Sequence, residues 1–175
     1  SRCRPINLLA STYVEIIRGI PLLMQLFYIY YALGSMLKVS PTVAAVAALS
    51  ICYGAYMGEV FRAGILSVPK GQSEAARSLG FNRFQTMTLV ILPQALRTII
   101  PPVGNESIAL LKDTSLVSVI AVADVLRRGR EYASQTFEYF ETYTVIALVY
   151  LIITLLLSKV LSMVEGRLSR YEHHR

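Results

Sequence analysis

Residues 68–96 read VPKGQSEAARSLGFNRFQTMTLVILPQAL, and this stretch of the 175-residue chain decides how the rest is interpreted. Its first half is polar and its second half is apolar. Pro69 suits a first helical turn, Glu74 lies near the positive end of the helix dipole, and Gly80 is a natural stop. The sequence therefore predicts a helix of about three turns in a polar loop. These features alone also fit an ordinary amphipathic helix that rests on lipid headgroups.

The composition around this loop is typical of a membrane protein. Hydrophobic residues make up 54% of the chain and charged residues 16%, and the mean hydropathy is +0.52. Soluble domains carry about 25% charged residues, and disordered chains combine low hydrophobicity with high net charge, so both classes are excluded. The two cysteines, Cys3 and Cys52, lie far apart and indicate neither a disulfide framework nor a metal site.

Two uncharged stretches, residues 19–37 and 39–58, are long enough to cross about 30 Å of hydrocarbon as helices. A last uncharged stretch, residues 142–158, is extended to a span by Lys159, whose long stem can reach the interface. The middle stretch is rich in alanine and carries small residues at four-residue spacing. This spacing favours close packing between helices, although an alanine-rich segment also gives the pattern by chance. The small residues are Ser50, Gly54 and Gly58.

A fourth apolar segment, residues 84–123, is interrupted repeatedly by proline and by polar residues. Pro101 and Pro102, with Gly104 after them, should break the helix outright. Broken helices occur at membrane depth where their backbone is buried in protein or lines a wet cavity. We therefore expect about four spans, one of them interrupted beside a cavity.

Two carboxylates follow this predicted break. Glu106 and Asp113 are seven residues apart, so they share one face if the segment is helical. Charge at membrane depth costs at least a few kcal/mol per residue and usually faces a cavity or a partner. We expect Glu106 to face a cavity with Asn105 beside it. Lys112 is expected to neutralise Asp113 or to lie near the outer interface.

The basic residues predict the orientation of the chain. Seventeen Lys and Arg against eleven Asp and Glu give a net charge of +6. With four crossings and a cytoplasmic start, eleven basic residues fall on the inner side and four on the outer side, which favours both ends in the cytoplasm. The cluster Arg127, Arg128 and Arg130 opposes this weakly, because acidic neighbours soften it. Since the basic residues follow the loops, no nucleic acid partner is expected.

The spacing within residues 74–93 carries a family resemblance. Glu74-Ala75-Ala76, three residues, Gly80, nine residues, Val90, one residue and Leu92-Pro93 resembles the EAA loop of permease subunits in bacterial ABC importers. The family usually has Ile where Val90 stands, which is a conservative departure. Two further stretches are similar to the polar amino acid branch, with its histidine, glutamine and arginine permeases: YVEIIRGIPL at 13–22, where relatives commonly have Thr for Ile20, and LKDTSL at 111–116.

The resemblance covers nearly the whole chain and implies its fold. It implies an all-α integral membrane protein with the type I ABC importer transmembrane fold, about four spans and a cytoplasmic coupling helix. Relatives usually carry one more helix before residue 13. We therefore expect residues 1–175 to form a single transmembrane domain that lacks its first helix.

The resemblance also implies a transport subunit of the inner membrane without chemistry of its own. The EAA helix would dock on a separate ATPase through Ala75, Ala76 and Leu79, with Gly80 as the turn and Glu74 either pairing with a basic group of the partner or capping its own helix. The coupling residues are Glu74, Ala75, Ala76, Leu79, Gly80 and Phe81.

The substrate implied by the resemblance is a polar amino acid, with a basic one favoured because two carboxylates suit a cation. Its partners would be two ATP-binding subunits, which bind ATP and Mg, a second permease, the same or similar, and an external solute-binding protein. This chain would hold no cofactor or metal. The substrate-lining residues implied are Asn105, Glu106, Asp113 and Thr114.

The residues themselves also indicate that this chain transports while a partner hydrolyses ATP, and they leave one alternative class of transporter open. The chain has no G-x-x-x-x-G-K-[ST] phosphate loop, so a partner must supply the energy of ATP. His173 and His174 lack a paired acid or metal-ligand spacing, so no enzyme activity is expected. An ion-coupled secondary transporter or channel would also use interrupted helices and buried carboxylates.

Overall fold

A computed structural model describes residues 4–170 of the chain, with side chains described for residues 5–166. Cys3, His173 and His174 lie outside the described residues. Within them the chain forms helices and no strands, which confirms the all-α class. The helices in chain order are α1 (Arg4–Gly19), α2 (Leu22–Phe27), α3 (Gly34–Leu37), α4 (Pro41–Leu66), α5 (Lys70–Ser78), α6 (Arg83–Gln85), α7 (Leu92–Asp113), α8 (Val125–Thr136) and α9 (Tyr139–Arg170).

Irregular turns join several of these helices into longer rods. π-Helical turns at Tyr28–Leu33 and Thr86–Ile91 connect α2 to α3 and α6 to α7, and a 3₁₀ segment, Thr114–Ile120, continues α7. In the described part of the chain, three rods are long and apolar enough to span a membrane, or four if α1 and Leu22–Leu37, which are bent by 100°, form one span. The expected number of about four agrees with this.

The bounds of three predicted spans differ from the structure, and one of them is the last span, because α9 extends beyond residues 142–158 at both ends. Within the expected 19–37 span, α1 ends at Gly19 and α2 begins only at Leu22. Pro21 cannot donate the backbone hydrogen bond that would continue α1. α4 runs past the expected end at Gly58 to Leu66. Arg62 Nε donates to Glu59 Oε2 at 2.8 Å, so the extra turns carry a local ion pair.

The predicted break at Pro101 and Pro102 is wrong, because α7 continues through both prolines. The carbonyls of Arg97 and Thr98 lose the donors that would lie four residues further on. Membrane helices tolerate such losses where neighbouring groups satisfy the freed carbonyls. The irregular backbone lies earlier, in the π-helical turn at Thr86–Ile91. The expectation of a cavity nevertheless holds, since Thr98 and Pro102 line one.

The helices pack through small residues, and the closest approaches are not at the small residues expected. α4 is the most buried of the three long apolar segments. Of its most apolar 18 residues, 33% are buried inside the protein, against 17% for Arg83–Ile120 and 6% for Tyr139–Gly166. The expected contact is wrong for Ser50, which is exposed, and for Gly58, where an added Cβ would meet nothing within 4 Å, whereas a Cβ on Gly54 would lie 3.9 Å from the hydroxyl of Tyr13 in α1. The closest approaches occur where an added Cβ would collide with a neighbouring helix: Gly64 with Ile99, Gly104 with Leu161, and Gly129 with Ile146.

The arginine cluster between α7 and α9 belongs to α8. Oδ1 of Asp124 accepts a hydrogen bond from the backbone N–H of Arg127 at 2.9 Å and so caps this helix. Arg127 Nε donates to Glu131 at 2.8 Å, and Arg128 lies 3.6 Å from the same carboxylate. These contacts hold the pKa of Glu131 below its usual range. The expected softening of the cluster by an acidic neighbour is confirmed.

Candidate functional site

A cavity of about 550 Å³ lies where the bend between α1 and α2 faces α4 and α7. Its volume is within the range of small-molecule sites, about 300–1,000 Å³. A second cavity of about 380 Å³ shares three of its residues, Arg18, Tyr56 and Glu106. The larger cavity is lined by residues 18–23, by Cys52, Tyr53 and Tyr56 of α4, and by Glu106, Ala109, Asp113 and Leu116.

Charged and aromatic side chains meet in this cavity. Glu106 and Asp113 both line it, so the expected shared face is confirmed. The hydroxyl of Tyr53 donates a hydrogen bond to Oδ2 of Asp113 at 2.8 Å. Arg18 lies with Cζ 5.2 Å from the centre of the Tyr56 ring, within the range of a cation–π contact. The cavity therefore offers one guanidinium and two carboxylates to a small zwitterion.

Two other expected substrate residues do not line the cavity. Asn105 is exposed, because it points about 100° away from Glu106 around the helix. Thr114 begins the 3₁₀ segment, and its hydroxyl donates to the carbonyl of Leu111 at 2.6 Å. Lys112 is exposed, and no ion pair joins it to Asp113 among the described side chains. The cavity thus keeps Glu106 and Asp113 and leaves the other candidates outside.

The cavity contains three polar or charged side chains that are not among the expected site residues: Arg18, Tyr53 and Tyr56. The position of Arg18 beside Gly19 and Pro21 marks a charge at a helix break. Tyr53 meets Asp113 across 60 residues of sequence, a contact that no local spacing encodes. Tyr56 follows Tyr53 by three residues, so the two rings lie on neighbouring parts of one face of α4.

The predicted loop helix is present as α5, and its end is closely defined. Pro69 precedes the helix as its N-cap residue. Gly80 has a φ of +87°, its N–H donates to the carbonyl of Arg77 at 2.9 Å, and the N–H of Phe81 donates to the carbonyl of Ala76 at 3.1 Å. This pair of bonds is a Schellman motif, which needs a residue that tolerates positive φ.

The next helix starts immediately after this turn. The backbone N–H of Gln85 donates to Oδ1 of Asn82 at 2.9 Å, and the N–H of Asn82 donates to the Gln85 side chain at 3.0 Å. This capping box fixes the beginning of α6. The chain between α5 and α6 is therefore hydrogen-bonded at both ends.

The exposed face of α5 is smaller than expected. Leu79 is 78% exposed and Ala75 is also exposed, whereas Ala76 is only 4% exposed and lies on the inner side, where α5 packs on the π-helical turn. Ala76 is therefore wrong as part of a docking face. Glu74 is exposed, and no side chain caps the start of α5, so its expected capping role is also wrong.

A polar contact joins α5 to the helix that carries the cavity carboxylates. Nε2 of Gln94, in α7, donates to Oε1 of Gln72 at 3.3 Å and to the carbonyl of Val90 at 2.8 Å. The same α7 presents Glu106 and Asp113 to the cavity. A side-chain hydrogen bond therefore joins α5 to the helix that carries both cavity carboxylates.

These features define a membrane transport subunit: apolar helical rods, a charged cavity between them and a short helix in a polar loop. The family described as binding-protein-dependent transport system inner membrane component matches residues 1–170, and the chain belongs to this family. The expected resemblance to permease subunits of amino acid ABC importers is confirmed by this family match, by curated relatives and by a solved structure.

Curated relatives carry amino acid names. The glutamine transport system permease protein GlnP of Escherichia coli (strain K12) is 43% identical over 165 residues, which are 93% of this chain and 75% of the relative. The L-cystine transport system permease protein TcyB of Bacillus subtilis (strain 168) is 45% identical over 173 residues, 98% of this chain and 74% of the relative. Their substrates differ, so the likeness supports amino acid transport without selecting one amino acid.

A solved structure has the same fold. A crystal structure described as an amino acid ABC transporter with histidines matches with a TM-score of 0.91 and 47% identity, covering 95% of this chain and 78% of that chain. The type I ABC importer fold is therefore confirmed, and the chain is a multi-pass permease subunit of an amino acid ABC importer. This membership decides against the secondary transporter or channel.

Proposed function

We propose that this subunit carries a polar amino acid through the cavity between the α1–α2 bend, α4 and α7, driven by a separate ATPase that docks on α5. One observation carries the proposal: Arg18, Glu106 and Asp113 line the same cavity of about 550 Å³. A free amino acid has an α-carboxylate and an α-ammonium group. The cavity supplies a partner of opposite charge for each of them.

Specific roles follow from the chemistry of these side chains. The guanidinium of Arg18 binds the α-carboxylate, since its planar fork of donors matches a carboxylate. Glu106 accepts hydrogen bonds from the α-ammonium. Asp113, already bonded to Tyr53, remains for the substrate side chain. With two carboxylates and one guanidinium, the cavity favours a basic amino acid, such as arginine, lysine or histidine.

Coupling to ATP would run through α5. The exposed side chains of Ala75, Leu79 and Phe81 form the docking face, and Glu74 pairs with a basic group on the ATPase. Ala76 packs inward and links α5 to the membrane rods. The two ATPase subunits bind ATP and Mg, because this chain has no phosphate loop.

The rest of the assembly follows from the same reasoning. A second permease, the same or similar, completes the translocation path, and an external solute-binding protein delivers the substrate. Both ends of the chain and α5 lie on the cytoplasmic side, while α8 lies outside, in line with the distribution of basic residues.

Uptake into proteoliposomes tests the energy source and the substrate together. Vesicles that contain the complete complex, with the solute-binding protein outside, should accumulate a polar amino acid only when ATP is trapped in the compartment that α5 faces. Ionophores that collapse ion gradients should leave this uptake unchanged. Uptake that needs an ion gradient and no ATP would contradict the proposal.

A further inference from the structure

The bend between α1 and α2 leaves backbone carbonyls without their usual partners, those of Ile17 and Ile20 among them. α1 ends at Gly19, the helix resumes at Leu22, and the two axes differ by 100°. The carbonyl of Ile17 would accept from the N–H of residue 21, but Pro21 has none. In an unbroken helix the carbonyl of Ile20 would accept a hydrogen bond from the N–H of Met24. That N–H instead donates to the carbonyl of Pro21 at 2.9 Å.

One buried side chain satisfies both carbonyls. Nε2 of Gln25 donates to the carbonyl of Ile17 at 2.8 Å and to that of Ile20 at 2.9 Å. Gln25 is only 6% exposed, and its backbone N–H donates to Pro21 at 3.1 Å. A buried amide is costly unless it is hydrogen-bonded, and these two bonds satisfy Nε2, whereas Oε1 is buried without a hydrogen-bond partner among the described residues. The amide therefore ties the end of α1 to the first turn of α2.

Arg18 lies inside the segment that Gln25 holds. It directly follows Ile17 in sequence, lines both cavities, and has its guanidinium over the ring of Tyr56. The rest of the bend, residues 19–23, forms one wall of the larger cavity. If the carbonyls of Ile17 and Ile20 were free, the last turn of α1 would lose its connection to α2. Arg18 would then no longer be held at one place over the cavity.

We propose that Gln25 is a positioning residue for substrate binding: its amide fixes the α1–α2 bend and so holds Arg18 over the cavity. Gln25 does not itself touch the substrate and acts only through Arg18. This inference rests on the proposed function, because it assigns Arg18 to the substrate carboxylate.

A double-mutant cycle in the reconstituted complex tests this role. Gln25→Met keeps the length of the side chain and removes both donors, so the KM for uptake should rise about tenfold, as expected when buried carbonyls lose their bonds. In an Arg18→Gln background the same substitution should change KM less than about twofold. Met24→Leu, at an exposed neighbouring position, is the matched control and should leave KM unchanged.

A second variant of Gln25 and a distance measurement across the bend test the positioning role independently of Gln25→Met kinetics. Gln25→Glu has the same length but no amide donor, so its KM should rise as in Gln25→Met. Spin labels on cysteines at Leu9 and Met36, both exposed, report the bend without any transport. Cys3 is replaced by serine, and Cys52 is kept because it lines the cavity and is only 4% exposed. The unmodified complex should give one narrow distance distribution, and Gln25→Met should broaden it.

The contrary results are equally specific. An unchanged KM in Gln25→Met, or an equal rise in the Arg18→Gln background, overturns the positioning role. An unchanged label distribution does so as well. If both Gln25 variants fail to assemble with the ATPase, Gln25 serves assembly and the inference is overturned. If the unmodified complex takes up no amino acid, the proposed function fails instead, and the label distances still decide whether Gln25 fixes the bend.

Discussion

The hydroxyl of Tyr53 donates a hydrogen bond to Oδ2 of Asp113 at 2.8 Å and joins α4 to α7 at the wall of the cavity. Tyr53 is 8% exposed, so this bond lies in a largely buried place. It is the only side-chain hydrogen bond to Asp113 among the described residues. The Tyr53 hydroxyl therefore orients the Asp113 carboxylate at the cavity wall.

Removing this hydroxyl should weaken substrate binding. Hydrogen bonds to charged groups contribute about 1.5–3 kcal/mol, so Tyr53→Phe should raise the KM for uptake by at least about tenfold. Tyr56→Phe is the matched control, because it keeps the ring that Arg18 covers. The KM for uptake is measured for both variants at equal amounts of assembled complex. Equal KM values for both variants would show that the Tyr53–Asp113 bond is unimportant for binding.

Docking of the ATPase should depend on the backbone conformation at Gly80. Its φ of +87° costs a residue with a Cβ about 1–2 kcal/mol, although nothing lies within 4 Å of an added Cβ. Gly80→Ala should therefore distort the end of α5 and lower copurification of the ATPase, while Gly80→Asn, which tolerates this conformation, should lower it less. Gly71→Ala, in the same helix and equally open, is the control. Normal copurification with Gly80→Ala would argue against docking through α5.

The crossing of α7 and α9 should be sensitive to one methyl group. A Cβ at Gly104 would collide with the side chain of Leu161, so Gly104→Ala should destabilise the subunit by about 1–3 kcal/mol and lower the thermal unfolding midpoint of the purified complex. Leu161→Ala should restore part of the loss in the double variant. Gly58→Ala, where an added Cβ meets nothing within 4 Å, should have little effect. A similar midpoint for Gly104→Ala and Gly58→Ala would contradict this packing.

The proposed orientation can be measured with single cysteines. Gln72→Cys in α5 and Arg128→Cys in α8 both lie at exposed positions outside the predicted spans. In intact cells depleted of their outer membrane, an impermeant thiol reagent should label Arg128→Cys. Gln72→Cys should react only after the cells are opened. The reverse pattern would invert the proposed topology.

The local features of the chain could be predicted from the sequence. Pro69 and Gly80 bracket α5 because proline favours a helix start and glycine favours a left-handed stop. The seven-residue spacing of Glu106 and Asp113 places both on one face because α7 is regular there. Both inferences depend only on the geometry of a single helix.

Features that depend on neighbouring helices could not be predicted. α7 continues through Pro101 and Pro102 because proline weakens a membrane helix without ending it where packing supports it. Gly104 lies at a helix crossing, whereas a Cβ added to Gly58, in an equally suggestive pattern, would meet nothing within 4 Å. Arg18 reaches the cavity only because the chain bends between Gly19 and Leu22, and the angle of such a bend is set by tertiary contacts such as those of Gln25.

The most direct test of the account is ATPase stimulation of the reconstituted complex by each of the twenty amino acids, with the solute-binding protein present, in the unmodified form and as Glu106→Gln. We predict stimulation by one or a few polar amino acids, with basic ones favoured. Glu106→Gln should need at least about tenfold more substrate for the same stimulation, because a charged partner of the α-ammonium is lost, while copurification of the ATPase stays normal. Identical stimulation curves for the two forms, with every amino acid that is active, would contradict the assignment of the cavity as the substrate site.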